Sequence, residues 1–278
     1  MTRSIETRVA HPQDEARTPD EERRRRRLKE WEEEERKSLA IVEIETDARC
    51  NRRCSYCPVS THEKRVGQMP PELFAKIISD LCEMSFRGTM SFHFYNEPLL
   101  DHRLEGFVQL ARNELPDARL LLFTNGDALT ADRAESLLQA GLAHIRVSLH
   151  DAAAEERLAQ FTDGLESRIA DRIIPVRYYD QALPLDNRCG TIQLEPWVRL
   201  PDRTAGCHNI TSMVIDWQGR VPLCCNDFLV AHGHGDVSTA SVKEIWERSR
   251  PLRKKIFLGH YELEVCQVCT GQRPFSGR

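Results

Sequence analysis

Short apolar runs alternate with amphipathic segments from residue 40 to about residue 180. The apolar runs predict five strands, at 40–46, 89–95, 118–124, 143–149 and 173–179. Apolar residues recur at helical spacing in the intervening segments, at 71–84, 101–114, 131–140 and 152–169. Repeated strand–helix units favour a parallel sheet with helices outside it, in an open or closed barrel. We therefore expect an α/β fold in this part of the chain.

The pattern changes after about residue 185. Segments 212–217 and 220–223 flank Gln218-Gly219, which predicts a β-hairpin. A capping box, Ser241-x-x-Glu244, predicts an amphipathic helix that Pro251 kinks or ends. We expect a small α+β domain over 185–278, behind a barrel domain over 40–184.

The first 39 residues are dominated by charge. They contain a basic run at 23–27 and an acidic run at 32–35, with few apolar side chains. Such a segment cannot form a core, so we predict a disordered or solvated helical extension. The net charge of −4 does not favour binding to nucleic acid or to an anionic membrane surface. No apolar stretch approaches membrane-spanning length, and the N-terminus lacks a signal-peptide core, so we expect a cytoplasmic protein.

Ten cysteines in a reducing compartment are typical of metal ligands or catalytic thiols. Three of them form the loop Cys50-x3-Cys54-x2-Cys57, directly after the first predicted strand. Thiolates suit iron–sulfur chemistry, and three ligands leave one iron of a four-iron cluster open. The alternatives are a redox dithiol or a zinc knuckle. A zinc knuckle needs a fourth ligand, which His62 could supply.

A second group of cysteines lies in the C-terminal third, at Cys207, Cys224, Cys266 and Cys269. The predicted hairpin would bring Cys207 and Cys224 together, and a returning Cys-x2-Cys would complete a four-cysteine site. The spacing alone also permits a zinc ribbon-like site. Cys82 falls on the apolar stripe of the 71–84 helix, so we expect it in the core.

The first cysteine loop, with Tyr56 before its last cysteine, resembles the signature of the radical S-adenosylmethionine (SAM) superfamily. The resemblance implies a partial (β/α)6 barrel and a cluster whose open iron chelates SAM and cleaves it to a 5′-deoxyadenosyl radical. Further motifs follow in the superfamily's order: Asn96-Glu97-Pro98 comes after the second predicted strand, Thr124-Asn125 after the third, and Ser148 lies at the end of the fourth. Together these motifs imply a set of cofactor-binding residues: Tyr56, Asn96, Glu97, Pro98, Thr124, Asn125 and Ser148.

Behind such a barrel, the C-terminal cysteines resemble the twitch domain, a shortened SPASM domain that holds one auxiliary [4Fe-4S] cluster. The full SPASM pattern would need more cysteines between 225 and 266. The resemblance implies that Cys207, Cys224, Cys266 and Cys269 hold the second of two clusters. Four cysteine ligands leave no open iron, so this cluster should move electrons rather than bind substrate.

The layout is most similar to twitch dehydrogenases of aminocyclitols and aminoglycosides. This implies dehydrogenation of an alcohol on a small polar, sugar-like or aminocyclitol-like natural-product substrate. An electron donor such as flavodoxin or ferredoxin is expected as a partner. By the same resemblance Arg188 would contact the substrate, with a structural ion pair as the alternative.

Three other functions remain open from the sequence. A radical epimerase would use Cys225 or Cys189 as hydrogen-atom donor, although Cys225 could simply pack beneath the cluster. Cys189 stands where the family carries alanine in an Asn-Arg-Ala-Gly stretch, so it could be a small-for-small replacement. A maturase of ribosomal peptides would need a separate leader-binding protein. A zinc-stapled binding protein would not be an enzyme at all.

Overall fold

Six parallel strands form one sheet in the computed structural model, in the order β5-β4-β3-β2-β1-β6. The structure describes residues 19–36, 39–63, 65–178, 186–193, 200, 203 and 205–273. The sheet strands are β1 (Ile41–Ile44), β2 (Thr89–Ser91), β3 (Arg119–Thr124), β4 (His144–Leu149), β5 (Ile173–Arg177) and β6 (Ser212–Ile215). The five predicted strands are all present, which confirms the parallel α/β fold.

Helices follow the strands along the chain. They are α1 (Pro19–Arg36), α2 (Pro71–Glu83), α3 (Leu104–Glu114), α4 (Ala131–Ala140), α5 (Ala152–Asp163), α6 (Ser167–Ala170), α7 (Val242–Phe257) and α8 (Glu264–Cys269). The four predicted barrel helices are present. The second of them begins at Leu104, after a 3-10 helix at Pro98–Leu100. The fourth is divided into α5 and α6, close to the predicted interruption at 162–164.

The apolar faces of the helices pack on one side of the sheet. Val42 and Ile44 of β1 are fully buried there, together with Phe74 and Ile77 of α2. Glu43 lies between the two buried β1 residues and, since successive side chains alternate across a strand, it points to the opposite side. The helices thus cover one face of the sheet, and Glu43 on the opposite face lines the candidate site.

The hairpin expected at 212–223 is only partly correct. The turn exists, because the amide of Asp216 donates to the carbonyl of Arg220 at 2.9 Å. However, β6 pairs in parallel with β1 along its whole length and is the sixth strand of the sheet. The antiparallel hairpin joins two other strands, β7 (Arg220–Val221) and β8 (Gly235–Asp236). Pairing with β6 satisfies the backbone groups on the second edge of β1, which would otherwise be unpaired.

The prediction that the N-terminal extension is solvated is wrong for one face of α1, which is buried against α7. Trp31 is 2% exposed and its ring centroid lies 5.2 Å from that of Phe257 in α7. Arg27, one turn earlier, stacks 4.1 Å from the same phenylalanine ring. Residues at i and i+4 share one helix face, so Arg27 and Trp31 together pack one face of this highly charged helix against α7. Residues 1–18, 37 and 38 lie outside the described part of the chain.

The capping box at Ser241 and Glu244 forms as expected, and α7 continues past Pro251 to Phe257. Of the two predicted effects of Pro251, ending the helix is wrong and a kink stays a prediction. One other prediction needs correction. Cys82 is exposed rather than in the core. No helix among the described residues is long and apolar enough to span a membrane.

Candidate active site

The first cysteine loop leaves the carboxyl end of β1 and turns back on itself. The amide of Cys57 donates to the carbonyl of Cys54 at 2.9 Å, and Pro58 then opens a short 3-10 helix. Cys50, Cys54 and Cys57 are all partly buried and line one cavity of about 260 Å³. The carboxyl ends of parallel strands are where ligands of such folds collect. His62, the fourth ligand of the zinc alternative, is not among the residues lining this cavity.

The same cavity gathers almost all the residues expected to bind the cofactor or substrate. The lining includes Tyr56, Asn96, Glu97, Thr124, Asn125, Ser148, Arg188 and Cys225. Pro98 is the exception, because it is buried at the start of the 3-10 helix that follows the motif. Its ring fixes that turn and does not reach the cavity. The loops after four strands therefore converge as the sequence predicts.

Glu97 ties two of these loops together. Its Oε1 accepts hydrogen bonds from the Thr124 hydroxyl at 2.6 Å and the Leu99 amide at 3.0 Å. Its Oε2 accepts from the Asn125 amide at 2.6 Å. Both oxygens are thus engaged by the protein. The carboxylate fixes the loop after β3 against the loop after β2.

Asn96 instead offers an open donor. Its Oδ1 accepts from the Phe94 amide at 3.0 Å, while its buried Nδ2 has no hydrogen-bond partner among the described residues. A buried donor without a partner is costly unless a ligand satisfies it. The Asn96 amide therefore fits the polar end of a bound cofactor, as expected of this motif.

Aromatic side chains form one wall of the cavity. Tyr56 and Tyr178 stack with their ring centroids 6.1 Å apart and nearly parallel. The Tyr56 hydroxyl contacts Nδ1 of His150, and burial lowers the pKa of that histidine, so its ring is neutral at physiological pH. Tyr178 has no recognisable motif, and only its position just after β5 could have suggested it.

Glu43 and His93 are functional candidates that the sequence reasoning missed. The Glu43 side chain is 17% exposed, and it lines the cavity. Burial raises its pKa to about 7, although the positive charge of Arg188 acts in the opposite direction. His93 Nε2 lies 3.9 Å from Glu43 Oε1, and burial lowers the His93 pKa to about 4, so this histidine is neutral. An acidic residue within the apolar run of β1 was the available signal.

Arg188 and Cys225 approach from the C-terminal segment. Arg188 Nη1 donates to Asn226 Oδ1 at 2.8 Å, and its guanidinium lies 6.0 Å from the Tyr95 ring. Its Nε lies 3.5 Å from Asp186 Oδ1, so the structural ion pair considered from the sequence is present as well. The carbonyl of Cys225 accepts from the Tyr95 hydroxyl at 2.8 Å, which fixes the backbone beside the thiol.

The second cysteine group lines a separate cavity. Cys207, Cys224, Cys266 and Cys269 all face it, and Cys189 joins them. Among the described residues, no three His, Cys, Asp or Glu side chains come close enough together to hold a single metal ion. Arg203 donates to Cys269 Sγ at 2.7 Å. Four thiolates suit an iron–sulfur cluster, although a four-cysteine set also suits zinc.

The fold and the two cysteine sites define a radical SAM enzyme. Residues 44–183 match the model of the Radical SAM superfamily, and residues 207–270 match the SPASM iron–sulfur cluster-binding domain. The chain belongs to the radical SAM superfamily and is an oxidoreductase. Its cofactors are SAM and a [4Fe-4S] cluster, with an auxiliary iron–sulfur cluster in the C-terminal domain. These matches confirm the resemblance identified from the sequence.

Among proteins of assigned activity, the chain resembles the S-adenosyl-L-methionine-dependent 2-deoxy-scyllo-inosamine dehydrogenase of Niallia circulans. The two are 30% identical over 239 residues, which cover 84% of this chain and 94% of the relative. A crystal structure of BtrN with AdoMet and 2-DOIA superimposes with a TM-score of 0.74 at 30% identity, covering 83% of this chain and 92% of BtrN.

More distant relatives match less of the molecule. The GTP 3′,8-cyclase of Mycobacterium marinum is 31% identical over 170 residues, covering 57% of this chain and 46% of the relative. Streptococcus suis SuiB bound to its precursor peptide SuiA shares 13% identity with a TM-score of 0.54, covering 87% of this chain and 73% of SuiB, which shows the fold alone. The peptide-maturase alternative is therefore less supported than the dehydrogenase.

Proposed function

We propose that the protein oxidises a secondary alcohol of an aminocyclitol or a related amino-sugar to a ketone. The similarity to the dehydrogenase over 94% of that relative supports the reaction class. One structural observation supports the electron path. The neighbours Arg188 and Cys189 face different cavities, as do Cys224 and Cys225. At these two places the substrate cavity and the auxiliary site are thus lined by adjacent residues of the same chain segment.

The reaction needs the substrate to lose one hydrogen atom, one proton and one electron. When bound, SAM and its cluster supply the radical that takes the carbon-bound hydrogen, and the auxiliary cluster accepts the electron. In this proposal Cys50, Cys54 and Cys57 hold the first cluster. The auxiliary cluster is held by the other proposed ligands, Cys207, Cys224, Cys266 and Cys269. The remaining proton must pass to a protein group.

Glu43 is the group we assign to accept that proton. It lines the cavity, and its pKa of about 7 suits a general base at physiological pH. Arg188 is assigned to orient the substrate, because its cationic side chain lines the cavity. The cationic Arg188 also favours the ionised form of Glu43, which keeps the base available.

The finer partner assignments belong to the same proposal. A reduced flavodoxin or ferredoxin would deliver the electron that starts each SAM cleavage, in a cytoplasmic setting. Asn96 Nδ2 would donate to SAM, and the Tyr56, Thr124, Asn125 and Ser148 side chains would surround it. Glu97 would act indirectly, by holding the Thr124–Asn125 loop in place.

A radical epimerase is the second candidate, and one observation favours it. Cys225 lines the substrate cavity, so its thiol is within the space where a substrate radical would form. An epimerase would return a hydrogen atom from this thiol and leave the alcohol at its original oxidation level. A dehydrogenase needs no such donor.

Product analysis in deuterium oxide distinguishes the two. Anaerobic protein would be incubated with SAM, dithionite and 2-deoxy-scyllo-inosamine, alongside the Cys225→Ala variant. We expect a ketone with no solvent deuterium, and turnover retained in the variant. A product at the alcohol level carrying one deuterium, lost in Cys225→Ala, would contradict dehydrogenation and establish epimerisation.

A further inference from the structure

A buried carboxylate, Asp186, contacts the arginine that we assign to orient the substrate. Asp186 is 8% exposed, and among the described residues it is not one of those that line the substrate cavity. Its Oδ1 accepts a hydrogen bond from the Arg188 amide at 3.1 Å and lies 3.5 Å from Arg188 Nε. The backbone and the side chain of Arg188 are therefore held by the same carboxylate oxygen.

Asn226 holds the other end of the Arg188 side chain. Its Oδ1 accepts a hydrogen bond from Arg188 Nη1 at 2.8 Å, and its Nδ2 donates to Asp186 Oδ2 at 2.7 Å. Asn226 is fully buried, and its oxygen and nitrogen are both engaged by charged groups. Because the amide has its donor and its acceptor on opposite sides, these two contacts fix its orientation. Asp186, Asn226 and Arg188 thus form a closed ring of contacts.

The turn that carries Arg188 has an unfavourable backbone. Arg188 has a φ of +46° and Cys189 a φ of +55°, a left-handed conformation that costs energy for residues other than glycine. Such a conformation persists where surrounding contacts hold it. Here the Asn187 side chain accepts a hydrogen bond from the Gly190 amide at 3.3 Å, and Asp186 accepts one from the Arg188 amide. The contacts of Asp186 therefore help to determine where Arg188 enters the cavity.

A second arginine shares the Asp186 carboxylate. Arg203 Nη2 donates to Asp186 Oδ2 at 3.0 Å, and the Arg203 side chain is largely buried. Both guanidinium groups are permanently charged. Because one carboxylate is divided between them, it only partly neutralises Arg188. The remaining positive charge lies in the cavity, where it suits an electron-rich oxygen of the substrate.

We propose that Asp186 is a positioning residue for substrate binding, which together with Asn226 holds the Arg188 guanidinium in the orientation that receives a substrate hydroxyl oxygen. Asp186 acts through Arg188 and does not touch the substrate. A guanidinium that is already fixed loses less side-chain freedom when the substrate binds, so the affinity is higher. The inference rests on the proposed function, because it takes from it the role of Arg188.

The test measures substrate affinity in the intact enzyme without turnover. Anaerobic holoenzyme with SAM, and without a reductant, is titrated with 2-deoxy-scyllo-inosamine by calorimetry. The variants are Asp186→Asn, Arg188→Ala and the two combined. Asparagine has the shape of aspartate, but it must turn its NH2 group toward one of the two sets of donors that Asp186 accepts from. Glu105→Gln is the matched control, since Glu105 pairs with Arg133 at 2.9 Å on α3 and does not line the cavity.

We expect Asp186→Asn to weaken binding about tenfold, because a charged contact to Arg188 is lost. Iron content should stay the same, and Glu105→Gln should bind like the unmodified enzyme. In the Arg188→Ala background, Asp186→Asn should have little further effect, because the group that it positions is absent. A role of Asp186 in general stability would not produce this dependence on Arg188.

Unchanged affinity in Asp186→Asn would overturn the proposal. Weakening of the same size with and without Arg188 would also overturn it, because Asp186 would then act on another group. If Asp186→Asn loses iron, Asn226→Ala decides, since it removes the contact to Arg188 Nη1, and unchanged affinity in that variant would contradict the proposal. An unmodified enzyme that does not bind 2-deoxy-scyllo-inosamine would refute the proposed substrate, and the inference with it.

Discussion

At the scale of single residues, the cavity contains buried polar groups that the fold satisfies only in part. Asn96 Nδ2 is a buried donor with no hydrogen bond within the described chain, and Arg188 Nε has only Asp186 Oδ1, 3.5 Å away. Glu43 keeps a raised pKa in the same space. Groups of this kind are expensive in an empty protein and become favourable when a ligand meets them. They indicate where the substrate and cofactor are recognised.

Glu43 gives a prediction about pH. In the proposed reaction the ionised carboxylate accepts the proton, and its pKa is about 7, so ketone formation should rise as pH increases through 7. Glu43→Gln should remove this rise and slow ketone formation by about 10²-fold or more. Hydrogen abstraction does not use this base, so 5′-deoxyadenosine should then exceed ketone. Quantifying both products from pH 6 to 9 checks this. The same pH profile in Glu43→Gln would exclude Glu43 as the base.

At the scale of elements, the N-terminal helix supports the auxiliary domain. Trp31 and Arg27 of α1 both contact Phe257 at the end of α7, and Arg27 also contacts His208, which follows the proposed ligand Cys207. The Cys207 amide in turn donates to the carbonyl of Ile256 at 3.3 Å. A charged helix outside both domain matches therefore packs directly behind one cluster ligand.

Removing the α1 anchor should weaken this domain. Trp31→Ala deletes a fully packed ring and should lower the free energy of unfolding by about 3–5 kcal/mol. Because metal binding and local folding are linked, iron bound at the auxiliary site should fall as well. Arg26→Ala is the matched control, since the Arg26 side chain is 71% exposed on the same helix. Thermal unfolding and iron analysis report the result. The same unfolding temperature and the same iron content in both variants would show that α1 does not stabilise the auxiliary domain.

The elements that the sequence predicts depend on local patterns, whereas the missed features are long-range contacts. Strands β1 to β5 and their helices were predictable because each depends on a local apolar pattern. The pairing of β6 with β1 joins residues about 170 positions apart, and no local pattern specifies it. The contact of Trp31 with Phe257 and the convergence of Cys189 with Cys269 are equally long-range. The predicted ligands, by contrast, come from short motifs that retain their spacing in any structure.

At the scale of the whole molecule, two cysteine-lined cavities lie on either side of a thin wall. Arg188 and Cys225 face the first cavity, while Cys189 and Cys224 face the second. Arg188 also reaches the auxiliary side through Asn226, which donates to Cys269. In the proposed function, substrate recognition and electron acceptance therefore depend on the same two short segments.

The iron content tests this two-site architecture. Anaerobically purified protein should contain about eight irons per chain, from two four-iron clusters. The Cys50→Ala/Cys54→Ala/Cys57→Ala variant should retain about four and lose SAM cleavage, because only the auxiliary ligands remain. Iron and acid-labile sulfide assays, with zinc measured in parallel, give the counts. Zinc without iron in that variant would show that the second site is a structural staple.

The most direct measurement of the central claim follows one deuterium atom. A substrate such as 2-deoxy-scyllo-inosamine would carry deuterium on the carbon that bears the oxidised hydroxyl, and products would be analysed by mass spectrometry. The proposal predicts one deuterium in 5′-deoxyadenosine for each ketone formed, with none left in the ketone. Formation of ketone with unlabelled 5′-deoxyadenosine, or transfer of deuterium without any ketone, would contradict radical dehydrogenation by this protein.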